Sequence, residues 1–263
     1  MSRRIAFGID IGGSGIKGAP VDLDTGEFTA DRVRIPTPEH STPQAVSQVI
    51  AKLLASFDMP PKTPIGIAFP APIHHGVVPF IANLDKSWTG VDLPRLIKAN
   101  TGHDAVVVND ADAAGFAEQQ YGAAEGKDGT ILVVTLGTGI GSALICNGVL
   151  VPNTEFGHLE IDGKNAEKQA ADSARERENL TMKQWAVRLQ RYFDVVDMLL
   201  SPDLIVVGGG VSKKYKEFLP LIKSRVPIIP AKLFNQAGIV GAAAYAAAEE
   251  KHLKKREKHD KKH

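Results

Sequence analysis

The sequence predicts an α/β protein, and three observations support this prediction. Short apolar runs of strand length, such as residues 65–69 and 204–207, alternate with longer segments whose apolar residues recur at helical spacing. Two further segments, residues 5–21 and 131–146, each consist of an apolar run, a Gly-rich turn and a second apolar run, which is typical of a β-hairpin. Because one hairpin lies in each half of the 263-residue chain, we interpret the chain as an internal duplication.

The helices follow from capping and periodicity. Thr42 and Pro43 are typical of an N-cap and a first helical residue, and apolar residues follow them at helical spacing. A long helix is expected from Thr181, with one apolar stripe formed by Trp185, Leu189, Tyr192, Phe193, Val196, Leu199 and Leu200. Residues 105–108 are a further buried strand, and an Ala-rich final helix is predicted over residues 239–250.

Composition limits the class of protein. An apolar fraction of 43% with 23% charged residues excludes wholesale disorder. The single cysteine, Cys146, excludes a disulfide framework and a Cys-based zinc site, and it fits a reducing compartment. The first apolar run, residues 5–9, is too short for a signal-peptide core, and no stretch approaches the length of a membrane span. We therefore expect a cytoplasmic protein with no membrane partner.

The net charge of +1 conceals an asymmetry. Residues 251–263 contain seven Lys or Arg and two acidic residues, so the rest of the chain has 24 basic and 28 acidic side chains. Such a body offers no extended basic surface, and no nucleic-acid partner is expected. The basic C-terminal segment itself is expected to be a solvated, disordered end.

The first hairpin turn is a candidate phosphate site. Small residues let a backbone approach a phosphate, and successive N–H groups can form an anion-binding concavity in this turn of Gly12, Gly13, Ser14 and Gly15. Asp10 could hold a hydrated Mg²⁺, since hard cations prefer carboxylate and water oxygens. Lys17 could place its charge on a terminal phosphate. An ordinary hairpin turn is the alternative.

The second hairpin turn repeats the pattern with Gly137, Thr138 and Gly139. It leads into a strand, and no Gly-Lys-Ser/Thr follows, so a Rossmann dehydrogenase and a P-loop kinase are both disfavoured. A third flexible turn follows the strand at 204–207 and could contact a nucleotide or further phosphates; it consists of Gly208, Gly209 and Gly210. A plain strand-to-helix turn is the alternative for this segment.

Asn109 and Asp110 directly follow a buried strand and are candidates for activating an alcohol. The carboxylate could accept a hydroxyl proton while the amide fixes the substrate. The alternative is an Asn/Asp turn with Asp112 as a helix cap.

Glu155 and His158 supply paired hydrogen-bonding groups of the kind that sugar hydroxyls need. A zinc site at His158 is disfavoured, because no Cys follows and the next histidine is His252.

Taken in their order along the chain, these motifs resemble the ROK family of sugar kinases and repressors, within the actin-like ATPase superfamily. The resemblance covers about residues 5–250 and rests on Asp10-Ile-Gly-Gly-Ser-Gly-Ile-Lys, Asn109-Asp-Ala-Asp-Ala, Leu136-Gly-Thr-Gly-Ile-Gly, Glu155-Phe-Gly-His, Gly208-Gly-Gly and Gly238-Ile-Val-Gly-Ala-Ala. It implies a two-lobed actin-like (ribonuclease-H-like) fold with a central ligand cleft. The lobes would be residues 1–112 with the returning helix at about 238–250, and residues 113–237, followed by the basic tail at 251–263.

One departure narrows the resemblance. Family members typically follow Glu-x-Gly-His with a Cys-rich zinc loop, whereas residues 159–167 contain no Cys. The missing loop, the short chain and the run Glu155-Phe-Gly-His-Leu-Glu-Ile-Asp-Gly are similar to the actinobacterial polyphosphate glucokinases, in particular to their polyphosphate/ATP-glucomannokinase type. The resemblance implies phosphorylation of glucose or mannose at the 6-hydroxyl, with polyphosphate and ATP as donors, Mg²⁺ as cofactor and no structural zinc.

The resemblance also implies a role for each motif residue. Asp110 would take the proton from the 6-hydroxyl, and Asp10 would hold Mg²⁺ through water. The three Gly-rich turns, with Lys17, would bind phosphates or nucleotide. The sugar hydroxyls would be bound by Asn109, Asp110, Glu155, His158 and Glu167, with Asn83 a further candidate and Glu160 the alternative to Glu167.

Two alternatives stay open. One is a kinase of the same family that uses ATP alone. The sequence distinguishes it from a polyphosphate-dependent kinase only by the residues that occupy the family motifs. A sugar-responsive regulator is disfavoured, because the family's repressors carry a winged helix-turn-helix before the first hairpin, which begins here at residue 5. The expected partners are a hexose, polyphosphate or ATP, and a second copy of the chain.

A basic segment after the third turn is a candidate track for polyphosphate. It contains Lys213, Lys214, Lys216, Lys223, Arg225 and Lys232 against a single acidic residue, Glu217. A solvated helix face is the alternative.

Overall fold

The computed structural model describes residues 3–60, 62–81 and 84–260, with the side chains of the last helix described as far as residue 253. The chain divides into two units, Met1–Ala113 with Gly238–His263 (unit 1) and Ala114–Ala237 (unit 2). Residue 238 onward therefore belongs to the same unit as the N-terminal hairpin.

Strands and helices alternate along the chain, as the α/β prediction requires. The strands are β1 (Ile5–Gly12), β2 (Gly15–Asp22), β3 (Val33–Ile35), β4 (Ile65–Phe69), β5 (Val106–Asn109), β6 (Thr130–Leu136), β7 (Ile140–Cys146), β8 (Val149–Val151), β9 (Glu160–Ile161), β10 (Lys164–Asn165), β11 (Leu204–Gly208) and β12 (Ile228–Pro230). The helices are α1 (Pro43–Leu54), α2 (Leu93–Thr101), α3 (Asp110–Tyr121), α4 (Ala166–Ala170), α5 (Asp172–Arg177), α6 (Met182–Leu200), α7 (Tyr215–Phe218) and α8 (Ala237–Asp260).

The sheets of the two units repeat one topology. Unit 1 has the strand order β3-β2-β1-β4-β5, and unit 2 has the equivalent order β8-β7-β6-β11-β12. In each unit a hairpin is followed by a third antiparallel strand on one side and by two parallel strands on the other. The predicted duplication, with one hairpin in each half, is confirmed by this repeated order.

The two faces of the unit 1 sheet differ in side-chain size. Large β1 residues, such as Phe7 and Ile9, join one buried core with α1 and α2. The opposite face has small residues, and α8 packs closely there: Ala68 packs with Ala242, and a Cβ atom at Gly66 would overlap the Ala242 carbonyl. The small residues therefore set the distance between α8 and the sheet.

The predicted long helix of unit 2 is α6, and Thr181 forms its N-cap in a capping box with Gln184. Most of the predicted apolar stripe is buried against the sheet, namely Trp185, Leu189, Tyr192, Phe193 and Val196. The prediction was wrong for Leu199, whose side chain is 55% exposed. Leu200 packs against the core instead, because a residue four positions after Val196 falls on the same helix face.

The final helix extends beyond its predicted end. α8 runs to Asp260 and so includes most of the segment that we expected to be a disordered tail. The reason is local: Lys, Arg and Glu are good helix formers, and no Gly or Pro follows Gly241 within the helix.

The structure also bears on membrane association. None of the helices in the described part of the chain combines the length and the apolar composition needed to cross a bilayer.

A buried carboxylate fixes one corner of unit 2. Glu118 in α3 is 1% exposed and accepts hydrogen bonds from Ala123 N (2.7 Å), Lys232 N (3.1 Å) and Leu233 N (2.8 Å). It thereby joins the end of α3 to the segment after β12. No motif in the sequence marked this residue.

The close approach of α8 to the unit 1 sheet yields a first prediction. Gly66→Ala should lower the free energy of unfolding by about 3 kcal/mol or more, because the new methyl group meets backbone that cannot rotate away. The measurement is urea unfolding. Gly13→Ala is the control, since its Cβ atom would meet nothing within 4 Å. Equal stability of the two variants would contradict the packing described for α8.

The Glu118 network yields a second prediction. Glu118→Ala should lower the free energy of unfolding by about 3 kcal/mol, because backbone donors would be left buried without an acceptor. Glu125→Ala removes an exposed carboxylate nearby and should change stability little. Thermal and urea unfolding compare the two, and a Glu118 variant as stable as the Glu125 variant would refute the role.

Candidate functional site

The first Gly-rich turn joins β1 to β2, and two side chains hold its backbone. Arg34 Nη2 donates to Ser14 O at 2.6 Å, and Thr37 Oγ1 donates to Gly12 O at 2.6 Å. With both carbonyls bound, the turn has a defined conformation. Sequence reasoning missed Arg34 and Thr37, although a basic residue in the strand after the hairpin was an available signal.

Charged side chains surround this turn. Lys17 Nζ lies 3.4 Å from Asp10 Oδ2, and Asp10 and Lys17 are partners across the hairpin. Lys17 is in turn the β2 partner of Arg34 in β3. One carboxylate and two cations therefore lie beside the turn, an arrangement that suits a phosphate group.

Asn109 and Asp110 lie at the same edge of the unit 1 sheet as the turn. β1, β4 and β5 are parallel, with Asp10 aligned to Ala68 and Ala68 aligned to Val108. Since parallel strands present their carboxyl ends at one edge, residues after Asp10 and after Val108 lie at the same edge, on either side of β4.

Asn109 caps α3. Its Oδ1 accepts hydrogen bonds from Ala111 N (2.9 Å) and Asp112 N (3.1 Å), so the cap is Asn109 rather than Asp112. The cap does not use the Asn109 amide N–H₂ group, which can donate to a ligand. Asp110 is partly exposed, and its Oδ1 accepts from Ala111 N at 2.8 Å. Asn109 and Asp110 can therefore form the Asn/Asp turn at the start of α3 and still bind a ligand.

Unit 2 gathers the predicted hydroxyl-binding residues around His158. Its Nε2 lies 3.7 Å from Glu155 Oε2, and its Nδ1 lies 3.8 Å from Glu167 Oε1. Asn165 Nδ2 is 3.4 Å from the same Nδ1. The structure thus brings Glu167 into this cluster, whereas Glu160 is exposed on β9.

The electrostatics of the cluster affect Glu155. Burial raises the pKa of Glu155 above its usual range, the His158 ring lowers it, and the Glu167 carboxylate raises it. Glu155 therefore takes up a proton at a higher pH than an ordinary glutamate.

The second Gly-rich turn lies against the Glu167 carboxylate. Glu167 Oε2 is 3.4 Å from Ile140 N, and a Cβ atom at Gly139 would overlap that oxygen. Ser173 holds the turn, since its N–H donates to Gly137 O (3.0 Å) and its Oγ donates to Thr138 O (2.6 Å). Sequence reasoning assigned no role to Ser173.

The third turn adjoins the second. Gly209 has φ 83°, and a Cβ atom there would overlap the backbone of Leu136, the residue before Gly137. Gly208 ends β11, and Gly210 begins a short 3₁₀ helix that runs to Lys214.

The predicted site residues thus form one group in each unit. Unit 1 places Asp10, Lys17, Asn109, Asp110 and the turn at 12–15 at one edge of its sheet, and unit 2 brings together Glu155, His158, Glu167 and the turns at 137–139 and 208–210. Asn83, the further sugar-binding candidate, lies outside the described residues.

Metal binding depends on which ligand side chains lie close together. In the part of the chain that the structure describes, no group of three or more His, Cys, Asp or Glu residues is arranged to hold a metal ion. Cys146 is a free thiol in β7. Asp10 offers a single carboxylate beside a phosphate-type turn, which fits a Mg²⁺ ion that keeps most of its waters.

Comparison with known proteins extends this description. Over 252 residues the chain is 47% identical to a polyphosphate glucokinase of Mycobacterium tuberculosis, covering 95% of this chain and 94% of that protein. A polyphosphate glucokinase of Mycobacterium leprae is 45% identical, covering 95% of this chain and 77% of that protein.

Solved structures agree with these relatives. An inorganic polyphosphate/ATP-glucomannokinase from Arthrobacter sp. strain KM matches with a TM-score of 0.89 and 51% identity, covering 93% of this chain and 99% of that chain. A ROK family glucokinase from Streptomyces griseus, solved with glucose and AMPPNP, shares the fold at a TM-score of 0.78 and 22% identity, covering 93% and 99%. The ROK family profile itself matches residues 6–176. The resemblance that the motifs indicated is thereby confirmed, and the chain belongs to the ROK family.

Proposed function

We propose that this chain transfers the terminal phosphoryl group of inorganic polyphosphate or ATP to the 6-hydroxyl of glucose or mannose. The carrying observation is the placement of Glu167, whose carboxylate lies beside both His158 and the second Gly-rich turn. Hydroxyl-binding groups thus adjoin a phosphate-type turn within unit 2. A sugar kinase needs this combination.

The names of the relatives favour a kinase that uses polyphosphate as a donor over a kinase that uses ATP alone. Proteins named for polyphosphate are 45–51% identical to this chain. A relative named only glucokinase, from Streptomyces coelicolor, is 27% identical. We therefore retain polyphosphate as a donor and keep the use of ATP alone as the alternative.

The chemistry assigned to unit 1 is proton transfer and charge stabilisation. The Asp110 carboxylate takes the proton of the 6-hydroxyl, and the hydroxyl oxygen forms its bond to the terminal phosphorus. The bond from that phosphorus to its bridging oxygen breaks, which leaves polyphosphate shorter by one unit, or ADP. Lys17 and the N–H groups of the turn at 12–15 stabilise the charge on the phosphate oxygens.

The Asp10 carboxylate beside the first Gly-rich turn fits Mg²⁺ as the cofactor. Mg²⁺ usually binds through one or two carboxylates, several waters and substrate phosphates, and Asp10 would hold it through water. When bound, the ion neutralises negative charge on the donor phosphates.

Other expectations stay predictions, namely cytoplasmic location, a homodimer, and the absence of nucleic-acid partners and of structural zinc.

Asp110→Asn should lower turnover by about 10²–10⁴-fold while sugar affinity stays nearly unchanged, because the amide cannot accept the hydroxyl proton. Steady-state rates and calorimetric titration with glucose measure the two quantities. Asp104→Asn is the control, since Asp104 is exposed and pairs with Lys98. Near-normal turnover in the Asp110 variant would remove this residue from the mechanism.

Glu155→Gln should raise the sugar KM by about tenfold, because an ionised acceptor of sugar hydroxyls becomes a neutral one. In the wild type, KM should rise as the pH falls through the raised pKa of Glu155, since the proton removes the accepting carboxylate. The variant should lose this rise. Glu160→Gln, an exposed neighbour, should keep the wild-type profile, and an equal effect of both variants would contradict the assignment.

The basic segment after the third turn yields a prediction about the donor. Lys213, Lys214 and Lys216 are exposed, whereas Arg225 Nε binds Asp197 Oδ2 at 2.7 Å and is neutralised. Changing the three lysines to Ala should raise the polyphosphate KM and flatten its salt dependence, because a polyanion releases counterions when cations bind it. ATP kinetics should not change.

A chain that ends at Glu250 tests the other basic segment in the same assay. If the variant with Lys213, Lys214 and Lys216 changed to Ala keeps wild-type polyphosphate kinetics, those three lysines form only a solvated surface.

A further inference from the structure

A concave surface of unit 2 is lined by basic side chains that have no part in the proposed reaction. It has a volume of about 520 Å³ and is lined by Lys164, Asn165, Lys168, Gln169, Glu178 and Arg188. Small-molecule sites typically measure about 300–1,000 Å³, so this volume suffices for a ligand. Three lining residues are cationic and one is acidic, which makes the pocket net positive.

The single acidic lining residue is already engaged. Arg188 Nη2 contacts the Glu178 carboxylate, and Arg177 Nη2 lies 3.0 Å from Glu178 Oε1. Arg188 Nη1 also donates to Gln169 O at 3.1 Å. These bonds fix the guanidinium as one wall of the pocket and satisfy the carboxylate, so Glu178 is not available to neutralise the lysines.

The two lysines lie on a well-fixed backbone. Asn165 Oδ1 accepts from Lys168 N at 3.3 Å, and Gln169 Nε2 donates to Ile161 O at 3.2 Å. Lys164 and Lys168 are exposed, and neither forms an ion pair within the described ranges of the chain. Two unpaired ammonium groups in a concave surface attract an anion with several charges.

We propose that this pocket binds a condensed phosphate, with the ammonium groups of Lys164 and Lys168 contacting its oxygens and the paired Arg188 forming one wall. Ammonium and guanidinium groups are the usual protein partners of phosphate oxygens. The volume and the presence of two separate unpaired ammonium groups favour a chain of phosphates over a single one. The lining includes no aromatic or aliphatic side chain on which a nucleoside base could pack, so a nucleotide is disfavoured.

The pocket contains none of the residues to which we assign sugar and donor binding, but it adjoins them, because its lining residue Asn165 lies 3.4 Å from His158 Nδ1. α4 connects them, because it carries Lys168 at the pocket and Glu167 beside His158. The inference does not depend on the proposed function, since binding can be measured without turnover.

Calorimetric titration of the full chain with inorganic tripolyphosphate, in the absence of sugar, tests the proposal. The double variant Lys164→Ala/Lys168→Ala should bind one equivalent of tripolyphosphate fewer than the wild type. This difference should hold whether or not the Gly-rich turns bind a further equivalent. Lys164→Arg/Lys168→Arg should keep that equivalent, because the charge is retained. Lys127→Ala/Lys183→Ala removes two exposed lysines of unit 2 that do not line the pocket, and it should match the wild type.

Two results would overturn the proposal. One is an unchanged stoichiometry in the Lys164/Lys168 alanine variant, and the other is the same loss in the Lys127/Lys183 control. Unfolding midpoints equal to that of the wild type confirm that all variants are folded. Failure of polyphosphate-dependent phosphorylation would refute the proposed function but would leave the difference in stoichiometry unchanged.

Discussion

The Glu167 carboxylate lies between the His158 ring and the backbone of the second Gly-rich turn, and the geometry of the unit 2 site depends on this contact. The carboxylate can approach the turn because Gly139 has no side chain. The segment carrying His158 is set by a similar approach, in which a Cβ atom at Gly157 would overlap the Ile140 carbonyl. Two absent side chains therefore allow the cluster of Glu155, His158 and Glu167 to lie against the end of the β6–β7 hairpin.

The repeated topology places a Gly-rich hairpin turn in both sheets, but the two turns differ in charge. The turn of unit 1 is surrounded by charges of its own hairpin, from Asp10 and Lys17, and by Arg34 of β3. The turn of unit 2 has no charged residue of its own and instead contacts Glu167 and Ser173 from segments that follow the hairpin. Charges of the hairpin itself therefore lie beside the turn in unit 1, whereas the charge beside the turn in unit 2 comes from Glu167.

The distribution of ion pairs decides which basic residues are available to anions. Several arginines are satisfied within unit 2: Arg175 pairs with Asp172, Arg191 with Asp162, and Arg225 with Asp197. The exposed lysines at 213–216 and those of the Lys164/Lys168 pocket keep their charge for ligands. A count of basic residues along the chain therefore overstates the polyanion-binding surface, because pairing is a property of the folded chain.

The sequence by itself determined the fold class, the duplication and the order of the motifs, because apolar periodicity and Gly-rich turns are local signals. It also determined the family, since several motifs in a fixed order are specific. The sequence also favoured Glu167 over Glu160, and the structure brings Glu167 to His158. Tertiary structure alone decided that Arg34, Ser173 and Glu118 hold backbone in place. Each of these three depends on contacts between segments 20 or more residues apart in the chain, and no local pattern of residues encodes such a distance. The end of α8 was misjudged for the opposite reason: a basic composition suggested disorder, whereas helix propensity continued the helix to Asp260.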